Sequence, residues 1–148
     1  MDWNSEALLY KSALQVTPGN CRMHHNYATT LDDITDYTVK EFHLREAVRL
    51  WSNYSASYAN LGVVLARNKR LPEAVDVWKH GLEYGTKVVG PVLGTTLTNI
   101  ASGLSNMGKF AEALPYWERA LASRPRERRV LDGLANAKRQ LELQRQPQ

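Results

Sequence analysis

Cysteine is all but missing from this sequence. Cys21 is the only one among 148 residues, which excludes an internal disulfide and leaves the redox compartment open. Long apolar runs are missing as well. No stretch approaches the roughly 18 consecutive apolar residues that a bilayer-crossing helix needs, so no membrane contact is expected from the chain itself. Residues 1–6 lack the basic and then apolar regions of a secretory signal. The chain as given is therefore expected to carry no address of its own, and it is equally compatible with being a piece of a longer, targeted protein. Phenylalanine is scarce, at two residues against seven Tyr and four Trp, a balance that suits packing seams where an apolar body and a polar tip are both useful. No Ser-His-Asp, Walker or dinucleotide signature is present. Carboxylates such as Asp32 and Asp33, or Glu41 and Glu46, show no sign of converging on a pocket, and Glu41 and Arg45 have the i,i+4 spacing of a surface ion pair. Neither catalysis nor a cofactor is expected of this chain.

What is present is ordinary in bulk and regular in detail. The sequence is 43% hydrophobic and 23% charged, as in soluble globular proteins. Its net charge of +4 comes largely from Arg119, Arg124, Arg126, Arg128, Arg129, Lys138, Arg139 and Arg145. A basic end can attract acidic partners or phosphates, but a solvated outer helix face is the plainer account, and no nucleic-acid partner is expected.

A pattern recurs along the chain. Tyr58-x-x-Leu61-Gly62-x-x-Leu65 is followed by Ala74-x-x-x-Trp78-x-x-Gly81, and Leu97-x-x-Ile100-Ala101-x-x-Leu104 by Ala113-x-x-x-Trp117-x-x-Ala120-x-x-x-x-Pro125. His24-x-x-Tyr27-Ala28-x-x-Leu31 precedes Leu44-x-x-Ala47, and Tyr10-x-x-Ala13-x-x-x-x-Pro18 stands before them all. Leu31 and Leu65 are 34 positions apart, as are Ala47 and Gly81. This is the period of the tetratricopeptide repeat, a pair of antiparallel helices. Small residues at Ala28, Gly62 and Ala101 let the two helices of a hairpin cross closely, while Tyr27, Leu61, Trp78 and Trp117 fill the grooves beside them. Each hairpin leaves one face uncovered, so the next stacks on it. The expected fold is all-α, a right-handed superhelix of helical hairpins (an α-solenoid).

In that frame residues 1–20 supply the second helix of a truncated repeat, full repeats occupy 21–54, 55–88 and 94–127, and 128–143 form a capping helix. Its apolar stripe is expected at Val130, Leu131, Leu134, Ala135 and Leu141. Residues 144–148 are expected to fray. Residues 89–93 break the period as an insertion, with Pro91 suited to the first turn of the helix that follows. So few hairpins are near the minimum for a stable array, which leaves room for weak self-association through Trp3, Leu8 and Leu9 of the first helix.

The first helix of each hairpin lines the concave side of this architecture. The same inward position is held by Asn26, Asn60 and Asn99, and an amide offers both a donor and an acceptor to the backbone of an extended peptide. Contact with the neighbouring repeat is the alternative role for such a residue. Around the row lie Arg22, His25, Thr29, Thr95, Ser102 and, in the apolar middle, Val63. The expected partner is a protein or an extended peptide. Cys21, His24 and His25 need further convergent ligands to hold a metal, and His43 and His80 belong to other helices, so no metal is expected. Asn53-Tyr54-Ser55 is an acceptor sequence for N-glycosylation, relevant only in the secretory lumen.

A narrower likeness is carried by residues 3–18 with Asn20, His24 and Asn26, by residues 44–50, and by residues 138–144. These resemble the repeat region of the transmembrane and tetratricopeptide-repeat O-mannosyltransferases. The resemblance implies a parent with a multi-span catalytic portion in the endoplasmic reticulum membrane, repeats in the lumen, and mannose transfer to Ser/Thr of secretory proteins such as cadherins. No position here receives that family's catalytic residues, and Trp51-Ser52 replaces its usual Asn-Pro. A free cytoplasmic adaptor is the alternative. The asparagine row is also similar to that of O-linked N-acetylglucosamine transferase, where it binds peptide backbone. The carboxylate clamp of chaperone adaptors fails here: with Asn60 as its middle residue, His25, Thr29, Thr95 and Asn99 stand where it needs other residues.

Overall fold

A computed structural model describes residues 3–32, 35–84 and 91–145, with side chains from Glu6 onward. Among the described residues there are eight helices and no strand: α1 (Trp3–Val16), α2 (Cys21–Thr30), α3 (Tyr37–Leu50), α4 (Ser55–Arg67), α5 (Leu71–Tyr84), α6 (Pro91–Asn106), α7 (Phe110–Ser123) and α8 (Arg128–Arg145). They fall into two compact units, Met1–Thr86 and Lys87–Gln148. In the first, α1 packs on α2, α2 on α3, α3 on α4 and α4 on α5; in the second, α7 packs on both α6 and α8.

Local chemistry explains where the helices start and stop. Asn20 is the N-cap of α2, its side-chain oxygen accepting from the backbone N–H of Arg22 at 3.1 Å and of Met23 at 3.2 Å, which satisfies donors that the first turn leaves open. The α4–α5 and α6–α7 turns are built alike. Arg70 N donates to Leu65 O and Lys109 N to Leu104 O, both at 2.9 Å. The residue before each donor is left-handed, Lys69 with φ 62° and Gly108 with φ 74°. Glycine adopts that region freely, whereas a side chain such as that of Lys69 strains it.

The small-and-large pattern is realised as close crossings. Ala28, Leu44, Ala47, Leu65 and Ala74 are fully buried in the first unit, and Trp78 nearly so. A Cβ on Gly62 would lie 2.1 Å from Trp78 Nε1, and one on Gly81 would lie 2.4 Å from Tyr58 Cβ. Trp78 Nε1–H donates to Ala59 O at 3.0 Å, so the buried indole is satisfied. In the second unit Ala101, Ala113 and Ala120 are fully buried, and Trp117 covers Gly133.

Helix α6 opens at Pro91, as that residue's suitability for a first turn implies. Other expectations shift: α8 continues through Gln144 to Arg145. Residues 89 and 90 of the insertion and 146–148 of the tail lie outside the described residues. On α8 Val130 is buried as expected, but Leu131 and Ala135 are exposed and Ala137 is buried instead. Trp117 explains the rotation: its ring seats on Gly133 and turns that face inward.

Candidate functional site

In the first unit, Thr29 of α2, Lys40 of α3 and Asn60, Val63 and Val64 of α4 line one cleft of about 180 Å³. Three residues named from the sequence thus share a cleft, joined by a lysine that the sequence did not single out. Lys40 Nζ donates to Leu31 O at 3.0 Å, a cation at the C-terminal end of α2 where the helix dipole favours one. Burial pushes its pKa down, and the nearby Asp32 carboxylate opposes that shift.

The asparagines are half-buried on α2, α4 and α6. Among the described residues, the side-chain amides of Asn26, Asn60 and Asn99 have no hydrogen-bond partner. Asn26 and Asn60 belong to the first unit and Asn99 to the second. Thr29 is exposed, and its hydroxyl donates to Asn26 O at 2.7 Å.

The other sequence-derived residues have partners. His25 is buried, with Nδ1 2.9 Å from Ser57 Oγ and its ring edge-on to Tyr54 at 4.9 Å. Its place is between α2 and α4, and burial lowers its pKa. The exposed Arg22 lies 5.6 Å over the Trp51 ring, which stacks on Tyr54. In the second unit the Thr95 hydroxyl donates to Pro91 O at 2.9 Å and accepts from Arg124 Nη2 at 2.6 Å, and Ser102 Oγ lies 3.4 Å from Arg129 Nη2. Arg124 also donates to Pro91 O at 2.7 Å and pairs with Glu127 at 2.8 Å. Asn53 sits half-buried in the α3–α4 connection.

His43, assigned from the sequence to a separate helix, comes against His24. The two Nδ1 atoms are 2.8 Å apart, and His24 Nε2 is 2.9 Å from Pro18 O. The carbonyl can only accept, so Nε2 of His24 carries a proton. One of the facing Nδ1 atoms must then stay bare. Among the described residues no group of three or more metal-ligating side chains forms around this pair.

Burial and the neighbouring His24 push His43 down to about 4 from its ordinary 6.5, against the pull of Glu46. An unfolded chain therefore takes up a proton near pH 6.5 that the folded chain refuses until near pH 4. This contribution to stability is whole above that window and shrinks as pH falls through it. His25 acts in the same sense. Glu46 and Glu73, held below 4.5 mainly by bonds from Arg49 and Arg45, act only at more acid pH. The urea midpoint is expected to fall between pH 7.5 and 5.0, and His43→Gln to flatten that slope. An unchanged slope in the variant would assign the effect elsewhere.

These features define a class, the helical-repeat proteins, whose paired helices present one face to a partner. The tetratricopeptide-repeat family model matches residues 55–92 and 93–126, and those residues form tetratricopeptide repeats. Protein O-mannosyl-transferase TMTC1 of Homo sapiens and that of Mus musculus are each 32% identical to it over 62 residues, 42% of this chain. The chain spans only 7% of the length of these relatives. Among solved structures, a crystal structure of MamA protein superposes with a TM-score of 0.81 at 17% identity, covering 96% of this chain and 75% of that one. YrrB, described as a TPR protein with an unusual peptide-binding site, superposes with a TM-score of 0.75 at 17% identity, covering 90% of this chain and 71% of that one. At such identity the likeness shows the fold.

Proposed function

We propose that this chain is a non-catalytic scaffold that holds extended segments of a partner protein, Asn26 and Asn60 gripping peptide backbone in the first unit and Asn99 doing so in the second. The observation that carries this reading is the set of three half-buried amides without partners, one of them in a cleft beside Thr29 and Val63. A bare amide donates and accepts at once, which matches the alternating N–H and C=O of an extended strand. Val63 gives one apolar side chain of the peptide a dry wall. Arg22, Thr95 and Ser102 flank the amides as polar contacts, and His25 fixes α2 against α4 beneath them. The reading is supported by YrrB, a protein of like fold described as having an unusual peptide-binding site.

The wider role we propose is in protein O-mannosylation, as the substrate-recruiting or assembly part of a larger protein. It rests on the identity with TMTC1 and on the opening and closing motifs. In the alternative reading the parent is itself a mannosyltransferase; in a further one the chain is a cytoplasmic adaptor. Among the described residues no helix is long and apolar enough to cross a membrane. Weak self-association through α1 belongs to the same proposal, Leu8 and Leu9 each being 65% exposed. Sequence upstream of Met1, and use of the Asn53 acceptor in cells, separate a luminal from a cytoplasmic setting.

The test is display selection of 12-residue peptides on the full chain. Two hydrogen bonds at about 0.5–1.5 kcal/mol each set the expected loss for Asn60→Ala at about 5- to 150-fold in Kd. Asn26→Ala should cost a comparable factor, with helical content by circular dichroism unchanged. Peptides that bind both variants as tightly as the original chain would overturn the reading.

A further inference from the structure

A groove in the first unit lies on the other side of α4 from Asn60. At 3.6 residues per turn, Tyr58 and Leu61 occupy the face opposite Asn60 and Val63. They form the floor of a cavity of about 530 Å³, with Val48 of α3 and Val77 of α5 as its walls. That volume falls within the roughly 300–1,000 Å³ of sites that bury ligands. Tyr58 is held by its hydroxyl on Ser52 O at 2.9 Å, and His80 packs against its ring at 5.5 Å, so the floor is already shaped.

The rim has a sign. Three carboxylates border the groove, Glu46, Glu73 and Asp76, against two guanidiniums, Arg45 and Arg49. Both guanidiniums are engaged: Arg45 with Glu41 and Glu73, Arg49 with Glu46 at 2.7 Å. Arg70 locks the same end from outside the lining, 2.7 Å from Glu41 and 2.6 Å from Glu73. The exposed Asp76 is the carboxylate left over, one turn from Val77's neighbour His80.

We infer that this groove is a second docking site, taking a helical segment of a partner protein that presents apolar side chains one turn apart and a lysine or arginine beside them. Two helices side by side with a third as floor offer the trough in which an amphipathic helix seats its apolar face. The surplus carboxylate selects a cation at its edge and disfavours an acidic segment. A chain that holds one partner on its asparagine face can thereby hold another on the opposite face.

The test is panning a display library of 16-residue amphipathic helical peptides against the full chain. The expected pool pairs leucine-like residues at i and i+3 or i+4 with a basic residue. Val77→Glu is expected to weaken its members at least tenfold. Asp76→Lys, at an exposed position, is expected to exchange the basic preference for an acidic one. Asn26→Ala and Asn60→Ala are expected to leave these peptides unaffected, so failure here and failure of the asparagine face are told apart. No pool sensitive to Val77→Glu, a pool indifferent to Asp76→Lys, or sedimentation showing a second copy of the chain in the groove would each overturn the inference.

Discussion

Trp78→Ala is expected to lower stability by about 3–5 kcal/mol, the usual range for removing a buried tryptophan from a core. The indole is only 3% exposed, its ring fills the space over Gly62, and its N–H holds Ala59 O at 3.0 Å. Alanine leaves a cavity beside a backbone that α4 cannot move without tearing its own hydrogen bonds, and it removes the second bond that Ala59 O accepts. Urea unfolding followed by far-UV circular dichroism measures the loss, since tryptophan fluorescence would lose its own reporter. A change below about 1 kcal/mol would mean that the indole is not seated as described.

Gly62→Ala is expected to change sign with its background. In the original chain the added methyl meets Trp78 Nε1 at 2.1 Å, far inside van der Waals contact, and overpacking of this kind costs about 1–3 kcal/mol. In a Trp78→Ala background that obstacle is gone. Alanine then outperforms glycine inside a helix by about 0.5–1 kcal/mol, so the same substitution stabilises. The four proteins of this double-mutant cycle isolate the pairwise coupling. Additive effects, with Gly62→Ala equally harmful in both backgrounds, would remove the close crossing from the account. Gly81 is a harder case: the atom it faces is Tyr58 Cβ at 2.4 Å, which cannot swing aside as a ring can.

Much of the candidate site was legible beforehand because repetition exposes it. A residue type recurring at one register position of a helix pair must face the same way each time, so Asn26, Asn60 and Asn99 could be picked without coordinates. Thr29 and Val63 followed from their place on the same helices, and both line the cleft with Asn60. Lys40 was missed because it reaches the cleft from the second helix of the hairpin; its only signal was a cation positioned for the end of α2. By register alone His25 belongs with the lining, next to Asn26. Burial and the Ser57 hydroxyl take it between the helices instead.

The sequence by itself determined the helical period and the small-against-large crossings, since each depends on residues within a turn or two, or on a spacing copied from repeat to repeat. Only the tertiary structure decided which polar groups meet across helices. His24 and His43 are 19 residues apart, Arg70 and Glu41 29, and Arg124 and Pro91 33. Such contacts depend on how far one helix is rotated and shifted against the next, a matter of packing whole side chains at native density. A pattern of small and large letters fixes that rotation only to within a face, whereas a hydrogen bond requires it to within an ångström.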